Sequence, residues 1–279
     1  FTQFHPTGMV WPPSVHGTLV TEGVRGEGGI LVNSEGKRFM FDNIPERFAS
    51  ETADTEEEAA RWLAGDKDAR RPPELLTRDV VARAIRKEVK AGRGSPHGGA
   101  FLDIASQRSA EDIKKKLPSM YHQFKVLAEL DITTDPMEVG PTLHYMMGGI
   151  RVEADSQMSQ VPGLFACGEC SGGMHGANRL GGNSLSDLLV FGKLAGEGVA
   201  QYLNENPQTP NLIEDTVIAI IRGATDILNR ESGENPYLLH DELEENMQSN
   251  VGIVRTAELL SEGIQNLELL KKSYKDVKA

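Results

Sequence analysis

The stretch HGANRLGGNSL, residues 175–185, decides the fold of its surroundings. It places Arg179 in a glycine-rich loop just before Ser184. Ser184 and Asp187, three residues apart, have the spacing of a capping box, which predicts the start of a helix. A helix N-terminus offers unpaired backbone N–H groups and a partial positive charge, which suit an anion or an electron-rich ring edge. The apolar run Gly163–Cys167 predicts a buried strand upstream. Residues 148–204 are therefore predicted to form an α/β unit.

The segments on either side have different patterns. Residues 1–147 mix short extended runs with glycine turns and helices, which predicts an α+β domain whose first strand is already under way at Phe1. We therefore expect the natural chain to begin earlier. Residues 211–279 carry apolar positions at helical spacing and predict a truncated C-terminal helical bundle. The predicted elements are extended segments at Phe1–Val10 and Leu19–Arg38, and helices at Ala49–Leu63, Arg78–Ala91, Asp241–Leu260 and Ser261–Tyr274.

Composition excludes several classes of protein. The net charge of −12 leaves no basic stripe for nucleic acid. No apolar run approaches the roughly 18 residues of a membrane span, so we expect no direct span, and no export signal opens the chain. Cys167 and Cys170 form a C-x-x-C, which fits a redox pair or half a zinc site. No second pair exists, so we predict two reduced thiols and no metal site.

Cationic and hydrogen-bonding residues recur in the glycine-rich loops. A histidine precedes a proline in QFHPTG and another precedes a double glycine in PTLHYMMGG, and an arginine opens a predicted helix. Taken alone, His5 and Arg78 are each better explained by a structural role than by a catalytic one. In an acidic protein, however, a site for an anion requires its few cations to be concentrated locally. The set that suits a dicarboxylate is His5, Thr21, Arg78, His144 and Arg179.

Acidic residues accompany this set. In TEGVRGEGG, residues 21–29, Glu22 and Arg25 stand among four glycines, which let the backbone approach a ligand closely. The two side chains suit an ion pair at a turn, and a salt-bridged hairpin is the structural alternative. Glu169 follows the predicted strand Gly163–Cys167, where a carboxylate is well placed to accept hydrogen bonds from sugar hydroxyls.

Five motifs in this order resemble the flavoprotein subunit of the succinate dehydrogenase and fumarate reductase family, which also contains L-aspartate oxidase. They are QFHPTG (3–8), TEGVRGEGG (21–29), TRDVVARA (77–84), PTLHYMMGGI (141–150) and HGANRLGGNSL (175–185). The later segment MQSNVGIVRT, residues 247–256, resembles the helical domain of the family. The resemblance implies an α+β capping domain, the returning α/β part of a Rossmann-like FAD-binding domain and a C-terminal helical bundle.

The resemblance also implies roles for the substrate-side residues. His5 and Thr21 match the residues that hold one substrate carboxylate. His144 and Arg179 match those that hold the other. Arg78 matches the arginine that exchanges a proton with the substrate carbon. The connection between His5 and Thr21 is longer than in many members of the family.

Further positions match the proton relay and the cofactor site of the family. Glu22 and Arg25 match the relay that links the catalytic arginine to solvent. Glu169 matches a ligand of the FAD ribose, and Ser184 with Leu185 matches the helix start that meets the isoalloxazine ring. The N-terminal FAD-binding part of the family, with its glycine fingerprint for the pyrophosphate, is not found in these 279 residues. A covalent flavin bond through a histidine is therefore expected outside this chain.

The implied reaction is FAD-dependent oxidation of succinate to fumarate, or its reverse, with hydride moving to flavin N5 and a proton to an arginine. The implied partners are an iron–sulfur subunit, which takes the electrons, and membrane-anchor subunits. They imply a location at the cytoplasmic face of a bacterial inner membrane, or the matrix side of a mitochondrial one. Two alternatives stay open at this stage, L-aspartate oxidase and a non-catalytic cap fragment.

Overall fold

A computed structural model describes residues 1–209 and 211–278. The chain divides into two compact units, residues 1–202 and residues 203–279. Pro210 and Ala279, the last residue of the predicted helical domain, lie outside the described residues.

An antiparallel four-stranded sheet in the order β1-β4-β3-β2 organises the first unit. Its strands are β1 Thr2–Met9, β2 Ile30–Val32, β3 Ala100–Asp103 and β4 Met137–Met146. The predicted extended segment Phe1–Val10 is thus confirmed as β1. The long pair β1/β4 contains irregularities in register between Gln3 and Phe4 and between His5 and Gly8.

Six α-helices belong wholly or mainly to this unit. They are α1 Glu22–Gly26, α2 Glu56–Leu63, α3 Arg78–Lys90, α4 Ala110–Lys116, α5 Pro118–Leu127 and α6 Asn183–Glu205. The predicted helix Arg78–Ala91 is confirmed as α3 to within one residue. Helix α3 packs on β1 and β4 and buries Val81 and Ile85 completely. Each such aliphatic side chain contributes about 1.5–3 kcal/mol on full burial, so this contact fixes α3 against the sheet.

The predictions for Leu19–Arg38 and Ala49–Leu63 are wrong in part. The first segment contains helix α1 before the short strand β2, because one helical turn buries Val24 completely. In the second segment the α-helix begins only at Glu56. There the Thr55 hydroxyl accepts a hydrogen bond from the Glu58 N–H at 3.2 Å, which caps the helix. The residues before it form a 3-10 helix at Glu46–Glu51.

The α/β unit predicted for 148–204 is only partly formed. The predicted strand Gly163–Cys167 is wrong, since within the described residues Phe165 makes a single isolated bridge to Met158. A strand requires a continuous hydrogen-bonded neighbour, and one residue pair does not provide it. The long helix is confirmed as α6, which begins at Asn183 rather than at the predicted cap Ser184.

The second unit is helical, as predicted from 211 onward. Its helices are α7 Glu214–Thr225, α8 Pro236–Asn250 and α9 Ala257–Tyr274. The predicted helix break between Leu260 and Ser261 is wrong, because the Thr256 hydroxyl accepts from the Leu259 N–H at 3.3 Å and starts α9 earlier. In the described ranges of both units, no helix combines the length and the apolar character that crossing a membrane requires.

Candidate active site

Two histidines face each other across the strands β1 and β4. The His5 and His144 rings lie edge to face, with centroids 5.3 Å apart. Pairing runs from Gln3 with Tyr145 to Phe4 with Leu143, so His144 is the extra residue of a β-bulge. A bulge turns a side chain away from simple alternation, which brings His144 to the same place as His5.

Neutral imidazole is the stable form of His5. Its side chain is buried, and burial together with the positive charges of Arg25 and Arg78 lowers its pKa to about 2. The Thr7 backbone N–H donates to His5 Nδ1 at 3.3 Å. The proton of the neutral ring therefore lies on Nε2, which leaves an N–H donor for a ligand oxygen.

Arg78 is the first residue of helix α3, which packs on β1 and β4, the two strands that carry His5 and His144. Its guanidinium donates to Gln3 Oε1 at 3.4 Å and to Glu22 Oε2 at 3.3 Å. A cation in the first helical turn is unfavourable by itself because it opposes the helix dipole. Glu22 compensates only weakly, since its side chain is 51% exposed.

Arg25 lies deeper, on helix α1, and is 1% exposed. Its Nη1 donates to the Glu74 backbone carbonyl, while Nε and Nη2 have no hydrogen-bond partner in the described part of the chain. Burial lowers the pKa of Arg25 to about 10, although Glu22 opposes the change. A guanidinium whose pKa is lowered by burial releases its proton more readily than an exposed one.

The glycine loop brings Arg179 to the same cluster. The Gln3 amide donates to the Arg179 carbonyl at 2.6 Å and to Asn178 Oδ1 at 2.7 Å, which ties the loop to β1. The Arg179 guanidinium lies 4.5 Å from the centre of the Tyr145 ring, and its Nη1 donates to the Leu180 carbonyl at 3.0 Å. Burial and the nearby Arg78 lower the pKa of Arg179.

The cluster holds an excess of positive charge. Arg78 interacts electrostatically with each of the others, which are His5, Arg25, His144 and Arg179. Burial and then Arg78 and Arg179 also lower the pKa of His144. Glu22, the counter-ion of Arg78, is half exposed, and buried cations that are so weakly compensated are costly, so a cluster of this kind is stabilised by a bound anion. Three guanidinium groups and two neutral imidazoles provide enough donors for two carboxylates.

Residues predicted to contact FAD border this cluster. Glu169 is exposed, and its Oε1 accepts from the Met146 N–H at 2.8 Å. Leu185 is 67% exposed at the N-terminus of α6, and a Cβ at the preceding Gly182, whose φ is +82°, would meet nothing within 4 Å. An open glycine turn before a helix N-terminus fits the edge of a flavin ring, and Ser184 in the first turn adds a hydroxyl.

The structure thus brings together seven of the ten predicted residues. Those in contact or in electrostatic interaction are His5, Glu22, Arg25, Arg78, His144, Glu169 and Arg179. Thr21 precedes α1 with its hydroxyl unused for capping, one residue from Glu22. The loop residue His16 is exposed, whereas His5 faces the cluster.

Sequence reasoning missed Gln3, Tyr145 and Asp187. Gln3 lies two residues before His5 on β1, and this strand alternation was the available signal. Tyr145 adjoins the bulge, and the spacing of Asp187 from Ser184 predicts only a capping role. The structure instead directs the Asp187 carboxylate to Tyr145 and His175.

Residues 1–185 match the family described as "FAD binding domain", and residues 240–279 match "Fumarate reductase flavoprotein C-term". A component of the fumarate reductase (CoM/CoB) of Methanothermobacter marburgensis is 43% identical over 99% of this chain and 44% of its own length. A mitochondrial succinate dehydrogenase flavoprotein subunit from Xenopus laevis is 32% identical over 100% of this chain and 39% of its own length. The chain therefore spans less than half the length of these curated relatives.

Among solved structures, Sdh1 of Mycobacterium smegmatis in complex with UQ1 is 54% identical with a TM-score of 0.75, covering 100% of this chain and 42% of that one. A quinol fumarate reductase of E. coli is 35% identical with a TM-score of 0.80, covering 100% of this chain and 45% of that one.

Proposed function

Because this chain belongs to the FAD-binding-domain family that contains fumarate reductase and succinate dehydrogenase flavoprotein subunits, we propose that it binds a C4 dicarboxylate and takes part in interconverting succinate and fumarate. The observation that supports this most is the buried cation cluster. Its donors converge from β1, β4, α3 and the glycine loop. Uncompensated donors on several sides match a dianion better than a monoanion.

In this proposal the two ends of the substrate are held separately. His5, through its Nε2–H, and Thr21 hold one carboxylate, while His144 and Arg179 hold the other. Holding both ends restricts the substrate to one orientation, which removes most of the entropic cost of the reaction geometry. The guanidinium groups also stabilise charge that develops as the central carbon–carbon bond is polarised.

Arg78 exchanges the proton on the substrate carbon in this proposal, and Glu22 with Arg25 relays it to solvent. Bound FAD supplies the acceptor or donor of hydride. Guanidinium groups normally remain protonated, so the role requires an environment that favours the neutral form. The 3.3 Å contact between the Arg78 guanidinium and the exposed carboxylate of Glu22 supports Glu22 as the next group on the path of the proton.

Glu169 is proposed to hold the FAD ribose, and Ser184 and Leu185 the ring edge. The proposal extends to the assembly, in which electrons pass to an iron–sulfur subunit beside membrane-anchor subunits. It places the protein at the cytoplasmic face of a bacterial inner membrane, or on the matrix side in mitochondria. Support comes from relatives that are described as flavoprotein subunits of succinate dehydrogenase and fumarate reductase.

The test uses the complete gene product that contains this chain, purified with its flavin. Succinate oxidation is measured with an artificial electron acceptor, and fumarate reduction with a reduced dye. Both activities are expected, with competitive inhibition by malonate. A flavin-loaded protein that turns over neither dicarboxylate would contradict the proposal. Turnover of L-aspartate in their place would support the L-aspartate oxidase alternative.

A further inference from the structure

A buried carboxylate lies behind the candidate site. Asp187 is the fifth residue of α6 and is 3% exposed. Its Oδ2 lies 3.4 Å from the Tyr145 hydroxyl and 3.2 Å from His175 Nε2. Its Oδ1 is buried and has no hydrogen-bond partner in the described ranges of the chain. The proposed reaction does not use any of these three side chains.

Tyr145 and His175 both connect Asp187 to Arg179. The Tyr145 ring lies under the Arg179 guanidinium, 4.5 Å from ring centre to the guanidinium carbon. His175 opens the loop 175–182 that carries Arg179 and packs edge to face on Tyr145, with centroids 5.6 Å apart. Asp187 therefore fixes both the ring beneath the arginine and the start of its loop.

Arg179 has few other anchors of its own. Gln3 holds the backbone of the loop but not the guanidinium. The guanidinium has one hydrogen bond, to the neighbouring Leu180 carbonyl, and its Nε is buried without a partner in the described residues. The Tyr145 ring is thus the main support of the guanidinium, since a cation is attracted to the face of an aromatic ring.

We propose that Asp187 is a positioning residue that, through Tyr145 and His175, holds Arg179 ready to grip the substrate carboxylate. This deepens the proposed function and rests on it. Asp187 touches neither substrate nor cofactor in this role. It sets the affinity for the dicarboxylate more than the rate of the chemical step, because it acts only on a binding group.

A double-mutant cycle on malonate binding tests the proposal in the complete flavoprotein. Malonate is a dicarboxylate that does not react, and its dissociation constant is measured by the change in flavin absorbance. Asp187→Asn is expected to weaken malonate binding about tenfold, with kcat changed less than threefold. In an Arg179→Lys background, Asp187→Asn is expected to change the dissociation constant of malonate less than twofold, because the effects of coupled residues are not additive.

Two further variants complete the design. Tyr145→Phe keeps the ring and removes the hydroxyl, so it is expected to weaken malonate binding in the same direction by about threefold, and it serves if Asp187→Asn fails to fold. Glu88→Gln is the matched control, a buried hydrogen-bonded acid at the far end of α3, and is expected to have no effect.

The outcomes separate the two proposals. Equal effects of Asp187→Asn in both backgrounds would mean that it supports the fold generally, and this inference would be overturned. Unchanged malonate binding in both Asp187→Asn and Tyr145→Phe would overturn it as well. A wild-type flavoprotein that neither binds malonate nor turns over succinate or fumarate would overturn the proposed function first, and this inference with it.

Discussion

Replacing Arg78 by alanine tests the centre of the proposed reaction. Loss of a positioned proton donor or acceptor lowers turnover by about 10²–10⁴, which corresponds to about 2.7–5.4 kcal/mol of activation free energy. Dicarboxylate binding is expected to change only a few fold, because His5, His144 and Arg179 remain. Turnover is measured by steady-state kinetics and affinity by malonate inhibition on the complete flavoprotein.

The surroundings of Arg78 also predict the effect on stability. Its positive charge lowers the pKa of His5, Arg25, His144 and Arg179, so its removal relieves repulsion. The Arg78→Ala variant is therefore expected to melt no lower than the wild type. A loss of activity with an unchanged melting temperature cannot be attributed to unfolding.

Arg83 provides the control on the same helix. It lies five residues further along α3, its side chain is 55% exposed, and it pairs with Asp79. Arg83→Ala is expected to keep turnover within twofold. If Arg78→Ala lowers turnover less than tenfold, Arg78 is only an electrostatic clamp and another group carries the proton.

Arg179→Lys keeps the charge but loses the planar fork, so succinate affinity is expected to fall about tenfold or more; wild-type affinity and rate in kinetics would refute this. His5 has a folded pKa of about 2, below its ordinary value of 6.5, so only the unfolded chain takes up a proton as pH falls. The free energy of unfolding of the wild type, measured by urea unfolding, should therefore fall by about 2 kcal/mol between pH 7 and pH 5 because of this group. The fall should be absent in His5→Gln and kept in the exposed control His16→Gln. The family resemblance predicts covalent flavin, so acid-precipitated full-length protein should retain flavin fluorescence, and its complete release into the supernatant would contradict the prediction.

The sequence by itself determined the family, the helix α3 and the first strand. Helix α3 could be predicted because its apolar residues recur at helical spacing and its arginine follows Thr77. The five motifs also contain nine of the ten candidate residues, because each of these stands in a short contiguous run; the tenth, Glu169, follows the apolar run Gly163–Cys167. Local patterns were insufficient to predict helix α1 within Leu19–Arg38, because its glycines permit either a turn or a helix. The burial of Val24 selects the helix.

Only the tertiary structure decided how the candidate residues meet. His144 reaches His5 because of a bulge, which depends on the pairing of two strands that are far apart in the sequence. The pKa of His5 depends on burial and on Arg25 and Arg78, none of which a local pattern reveals. The contacts of Asp187 were also decided by tertiary structure. Its spacing from Ser184 predicts a helix cap, but long-range packing places the Tyr145 hydroxyl beside its carboxylate. A contact between distant segments cannot be inferred from either segment alone.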